Sequence, residues 1–168
     1  PRTAQSPTET LKAAVVEAER LGVYVVAHSH ATVGIRMCID SGVHQIIHCR
    51  WISSDPSVPM DYDREGATRL GAEGRWVDPT IALSILGDEA RAAGAPVRRS
   101  HWSVTAARPA PEQIIEMFQD MRSKGVRYTT GLDMGMAYAD YDKSAYNAIA
   151  FVESIGYTPW EGIAAATS

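Results

Sequence analysis

Val23-Tyr24-Val25-Val26-Ala27-His28-Ser29-His30 is the stretch whose reading decides the fold. Its first five residues form an unbroken apolar run rich in β-branched side chains, a composition that suits a parallel strand covered on both faces. The run follows Gly22, which reads as the residue that stops a helix. That helix opens at Ser6-Pro7-Thr8-Glu9. There Ser6 can accept from a first-turn amide, Pro7 suits the first helical position, and Glu9 can reach back to close a capping box. Leu11, Ala14, Val15 and Ala18 then recur at helical spacing. Downstream the unit repeats. Thr32 to Ser41 reads as a short helix closed by Gly42, and Val43 to His48 as a second buried strand, again ending in a histidine.

The alternation continues along the chain. Tyr62 to Ala72 is a weaker helix, and Arg75 to Ala82 is a third strand interrupted near its end by Pro79. Pro111 to Lys124 is strongly amphipathic through Ile114, Ile115, Phe118 and Met121, and Gly125 stops it. Val126 to Thr130 is the fourth strand, running into Gly131-Leu132-Asp133. Lys143 to Ile155 is a further helix, and Thr158-Pro159-Trp160-Glu161 caps a last one. Leu83 to Ala110, rich in Ala, Arg and Pro, shows no clear period and reads as a lid or binding loop. Strands alternating with helices over short connections predict a parallel α/β architecture. One domain spanning 1–168 is expected.

Composition bounds the function. The chain has 168 residues, 21% charged and 45% hydrophobic, with a formal net charge of −4. Those values exclude collagen, low-complexity disorder and a strongly basic nucleic-acid binder. No apolar run approaches the roughly 18 residues of a membrane span, so neither nucleic acid nor membrane is an expected partner. The first residues lack the apolar core of a signal peptide. Two cysteines, Cys38 and Cys49, are too few for a disulfide framework, which points to a reducing, cytoplasmic compartment.

Three of the four expected strands deliver a metal-competent side chain at their C-terminal end: His28, His48 and Asp133. In a parallel α/β barrel the active site lies on that face, where residues distant in sequence converge. One histidine at a strand end is ordinarily a core or surface residue. Two histidines and an aspartate at the same topological position are a ligand set that zinc, iron and manganese accept.

These segments resemble the amidohydrolase superfamily, and within it the imidazolonepropionase-like and prolidase-like metal-dependent hydrolases. The resemblance rests on Val23 to His30, Gly34-Ile35, Ser41-Gly42-Val43, Ile46-Ile47-His48, Thr130-Gly131-Leu132-Asp133 and Gly156 to Ile163, in family order along nearly the whole chain. Two positions depart from it. Ile47 stands where Glu is usual, and Leu132 where Thr or Ser is usual. The resemblance implies strands five to eight of a (β/α)₈ barrel. It makes His28 and His48 metal ligands, and Asp133 both a ligand and the base that takes a proton from water. The implied cofactor is zinc or another divalent metal. The implied reaction is hydrolysis of an amide, lactam or related C–N bond in a small-molecule substrate. A full barrel needs roughly 250 residues, so the resemblance also implies the C-terminal half of a catalytic barrel, cut at both ends. The missing half, or a second copy of the chain, is then an expected partner.

Other residues carry weaker expectations. His30, just beyond the ligand, is expected to touch substrate, as are His101 in the irregular segment and Tyr138 after the last strand. Loop arginines Arg98, Arg99 and Arg108 could meet a substrate carboxylate, although such residues are usually only solvated. His44, Cys38 and Tyr128 read as structural. Three alternatives stand beside the hydrolase. His28-Ser29-His30 could itself be a first-strand His-x-His pair, since residues two apart share a strand face. A non-haem iron oxygenase also uses two histidines and a carboxylate. A barrel segment without the remaining ligands could be a binding module without turnover.

Overall fold

The computed structural model describes residues 2–95, 107, 109–135 and 138–167. In chain order the elements are α1 (Thr8–Leu21), β1 (Val26–Ala31), α2 (Thr32–Asp40), β2 (Gln45–Ile52) and α3 (Arg64–Ala72). They continue with β3 (Trp76–Asp78), α4 (Ile81–Ala92), α5 (Pro111–Ser123) and β4 (Arg127–Tyr128). A 3₁₀ turn (Tyr141–Lys143) leads into α6 (Tyr146–Ala150), whose last turn widens into a π-helical segment (Phe151–Ile155), and α7 (Pro159–Thr167) follows. Among the described residues four strands form one sheet in the order β1-β2-β3-β4, each paired in parallel with its neighbour. Sequential parallel strands joined through helices are the arrangement of a partial (β/α)₈ barrel.

The core lies between the sheet and its helices. Ile46, Val77 and Tyr128 come from adjacent strands and are all at most 2% exposed. Of the expected stripe, α5 leaves Ile115 only half-buried and buries Ile114, Phe118 and Met121, together with Met117. Each such side chain contributes about 1.5–3 kcal/mol through burial. Two buried polar groups find partners there. Tyr128 Oη donates to the Phe118 carbonyl at 2.8 Å, and Trp51 Nε1 donates to Met121 Sδ at 3.4 Å. The end of α3 packs so tightly on the turn after α5 that a Cβ on Gly71 would collide with the Lys124 carbonyl. Only glycine fits there.

Several sequence expectations change in the structure. Gly22, Gly42 and Gly125 do close their helices in the left-handed region, and Thr158 and Glu161 do form a reciprocal cap on α7. The cap expected from Ser6 is absent. α1 begins one residue later, with Pro7 as its N-cap and no side-chain cap bond. The third strand is shorter than 75–82, because Pro79 cannot donate to a sheet ladder and the chain turns directly into α4. α4 also occupies the first part of the expected irregular segment, burying Ile81, Ala82 and Leu86. Its alanines favour helix, and that propensity prevails over the weak apolar period. The strand expected to be covered on both faces is not. The strand begins only at Val26, so Val23 and Tyr24 precede it in irregular chain and are 53% and 80% exposed. Val26 is 52% exposed because, among the described residues, β1 is an edge strand with β2 alone beside it. Among the described residues no helix is long and apolar enough to cross a membrane.

Candidate metal centre

The site is built by an irregularity in the first strand pair. β1 and β2 run in step from Val26↔Gln45 to Ser29↔His48, and the next pair is Ala31↔Ile52. Two steps along β1 therefore match four along β2. The surplus chain is absorbed where His48, Cys49 and Trp51 adopt φ values of 69°, 48° and 50°. A bulge of this kind re-aims side chains at the end of a strand. Here it turns His48 toward β1.

His28, His30 and His48 meet as a result. Each offers one ring nitrogen, and those three nitrogens lie within 4.8 Å of one another. His28 is exposed, His30 half-buried and His48 buried. The ring planes distinguish the three. His30 and His48 are stacked at 4.1 Å with an interplanar angle of 11°, whereas His28 stands edge-on to both, at 86° and 83°.

Burial sets the protonation of the two inner rings. It is the main cause that lowers His30 to about 2, with the charges of His48, Arg50 and His28 adding to it. It likewise lowers His48 to about 4, helped by His28 and Arg50. Both are neutral imidazoles at neutral pH, the form that offers a lone pair to a metal. His48 Nδ1 is engaged, 2.7 Å from Thr80 Oγ1. His30 Nδ1 is buried without a hydrogen-bond partner.

Behind the histidines lies a polar chain that sequence reasoning missed. Thr80 is 2% exposed and holds φ 45°, ψ 38°, a left-handed conformation costing a non-glycine residue about 1–3 kcal/mol. Its N–H donates to Asp78 Oδ1 at 3.1 Å, and its carbonyl accepts from Arg50 at 3.4 Å. The same Asp78 oxygen accepts the Gly131 N–H at 3.0 Å. Burial raises Asp78 to about 6; those two N–H groups oppose the shift, and the charge of Asp133 adds to it. Buried Asn147 faces the far side of the loop, where the amide orientation that satisfies both groups would donate to the Gly131 carbonyl at 2.9 Å and accept from Leu132 N–H at 3.2 Å. The available signal was Asp78-Pro79-Thr80, a turn-forming tripeptide at a strand end.

The sequence-predicted residues separate as follows. His28, His48 and His30 come together. Asp133 does not join the three-histidine group; it is exposed, with φ 59°, two residues beyond the Gly131 that Asp78 binds. Tyr138 is half-buried, packs against the core and has φ 70°. His101, Arg98, Arg99 and Arg108 lie outside the described residues. His44 is structural as expected, its Nδ1 accepting from Val25 N–H at 3.3 Å at the opposite end of the strands. Cys38 and Cys49 are buried free thiols whose pKa values burial pushes up, so neither is an activated thiolate.

No family model and no curated protein matches the sequence. Solved structures do. Ochratoxinase of A. niger is 26% identical with a TM-score of 0.74, over 99% of this chain and 34% of that one. A Xaa-Pro dipeptidase solved with methionine in its active site is 22% identical at 0.68, over 99% of this chain and 38% of its own. An amidohydrolase is 23% identical at 0.67, over 96% and 35% respectively. The chain thus spans little more than a third of the length of the solved proteins it matches.

Proposed function

We propose that this chain, whose fold is that of the amidohydrolase superfamily, supplies part of the metal site and the proton-transfer group of a hydrolase acting on amide, lactam or related C–N bonds. The observation that carries this reading is the meeting of His28, His30 and His48 on two adjacent parallel strands, where the regular pairing of β1 with β2 ends. That end of the sheet is where such folds do chemistry. The A. niger protein, the dipeptidase and the amidohydrolase, as their names state, lend weight to the hydrolytic class.

The donor set fits zinc or a similar divalent ion. Two of the rings are neutral through burial, and His30 keeps an orphaned buried nitrogen. The ring nitrogen's lone pair, which a metal accepts, lies in the imidazole plane, so two rings stacked 11° from parallel cannot both aim at one ion. His28, nearly perpendicular to His48, can share an ion with it. His28 and His48 are therefore the ligands. A divalent ion held there would act as a Lewis acid on the scissile carbonyl and bring the pKa of water from 15.7 to about 7.

The remaining work belongs to the chain. Stacked His30 keeps the His48 ring in place, and the half-buried ring is proposed to meet a polar group of the substrate at its accessible edge. Asp133, exposed on the loop that follows β4, takes a proton from the attacking water and delivers it to the leaving nitrogen. Asp78 holds the loop that presents Asp133, and its carboxyl is kept from full ionisation by burial and by Asp133 itself. Tyr138, further along the chain, is proposed to border the substrate.

The test is turnover by the polypeptide in which this segment functions. Purified without chelators, it should hydrolyse dipeptide and N-acyl amino-acid amides, lose that activity to a chelator and regain it with zinc. Retention of full activity after complete metal removal would overturn the reading.

A further inference from the structure

We propose that Thr80 is a positioning residue that fixes His48 as the Nδ1–H tautomer, leaving Nε2 as the nitrogen free to bind a cation. The proposal rests on the metal-site reading above and explains why, of two stacked rings, it is His48 that serves as the ligand.

Four observations carry it. Thr80 Oγ1 lies 2.7 Å from His48 Nδ1, and both residues are buried, so water does not compete for that nitrogen. His30, stacked on the same ring, has no such partner for its own Nδ1. Histidines that bind metals almost always have their other ring nitrogen held by a carboxylate, carbonyl or similar group, which sets tautomer and orientation. Thr80 is also held in a backbone conformation that β-branched residues avoid. Its amide and carbonyl are both tied, to Asp78 and Arg50, so the hydroxyl is delivered to one point. Strained residues fixed on several sides cluster at functional sites.

The chemistry of the pair is directional. A threonine hydroxyl both donates and accepts, so the distance alone permits either tautomer. With Nδ1–H donating to Oγ1, the Nε2 lone pair is unblocked on the ring edge away from Thr80. With the hydroxyl donating to Nδ1, Nε2 carries the proton and cannot ligate. The first arrangement is the one a ligand requires.

The experiment compares the unaltered chain with Thr80→Val and Thr80→Ser. Valine keeps the β-branch and the backbone strain while removing the hydroxyl, and serine restores the hydroxyl. Two readouts are taken: zinc affinity by calorimetric titration, and the His48 tautomer by ¹⁵N imidazole NMR of metal-free protein at neutral pH. The unaltered chain and Thr80→Ser are expected to show Nδ1–H at His48 and zinc affinities within about threefold of each other. Thr80→Val is expected to show mixed tautomers and to bind zinc about 10–100-fold more weakly, the usual effect of losing such a support. If Thr80→Val keeps a pure Nδ1–H ring and unchanged zinc affinity, the proposal is overturned. If the unaltered chain binds no zinc, the metal reading fails, and the tautomer comparison alone still decides the role of Thr80. Should Thr80→Val fail to fold, a wild-type His48 ring protonated at Nε2 is sufficient to overturn the proposal.

Discussion

The Asp78 carboxylate accepts the Gly131 backbone N–H at 3.0 Å, tying the end of β3 to the chain that leaves β4. The approach is so close that a Cβ on Gly131 would collide with that carboxylate. Two residues on stands Asp133, so the contact fixes the loop that presents the proposed base. Gly131→Ala should cost about 1–3 kcal/mol of stability, since it must also break a buried hydrogen bond. Asp78→Ala removes the group that clashes. The double variant should therefore be much less than additive, measured as denaturant midpoints of the single and double changes. Strict additivity would show that the two residues do not share one contact.

Acid should destabilise the metal-free chain through its histidines. His48 is lowered to about 4 and His30 to about 2 in the folded state, against about 6.5 when unfolded. Below pH 6.5 the unfolded chain therefore binds protons that the folded chain refuses, and stability falls as pH falls. Asp78 opposes this. Its folded pKa of about 6 makes the folded state the better proton binder between about 3.8 and 6. Two histidines against one aspartate leave stability rising with pH from about 4 to 6.5. Asp78→Asn should steepen that rise, and His30→Ala should flatten it. Thermal melts across the range check both, and a flat profile would contradict the buried, neutral rings.

Asp133→Asn preserves size and one oxygen while abolishing the base. In the polypeptide in which this segment functions, kcat should fall about 10²–10⁴-fold with zinc content retained. Full activity in that variant would remove Asp133 from the mechanism.

Much of this was legible from residue order. Apolar runs ending in His28 and His48, each closed upstream by a glycine, were enough to place two histidines at the same end of two parallel strands. The meeting of His30 with them was not legible. It depends on surplus residues in β2 and on left-handed backbone at His48, Cys49 and Trp51, which no side-chain periodicity records. Thr80 was hidden for a related reason. Asp78-Pro79-Thr80 reads locally as a broken strand, and only the sheet brings its hydroxyl to a histidine 32 residues away in sequence. The exposure of Val23 and Tyr24 was likewise invisible to a rule that infers a buried strand from composition, because the strand begins only at Val26 and leaves these two residues in irregular chain before it.

The stacked pair makes a separable prediction for His30. Because it lies parallel to His48 and so cannot share its ion, His30→Ala should act on substrate affinity more than on metal. In the turnover assay KM should rise by about tenfold, roughly the effect of losing one hydrogen bond of 1.4 kcal/mol, while metal content stays unchanged. Loss of metal with KM unchanged would reverse the assignment.

The central claim, that His28 and His48 together hold a divalent ion, is tested most directly by titrating zinc into the chain and into its His28→Ala, His48→Ala and His30→Ala variants. The account predicts about one zinc per chain, lost when either His28 or His48 is removed and retained when His30 is. No binding by the unaltered chain would contradict it. So would loss of zinc from His30→Ala alone, with His28→Ala and His48→Ala binding normally.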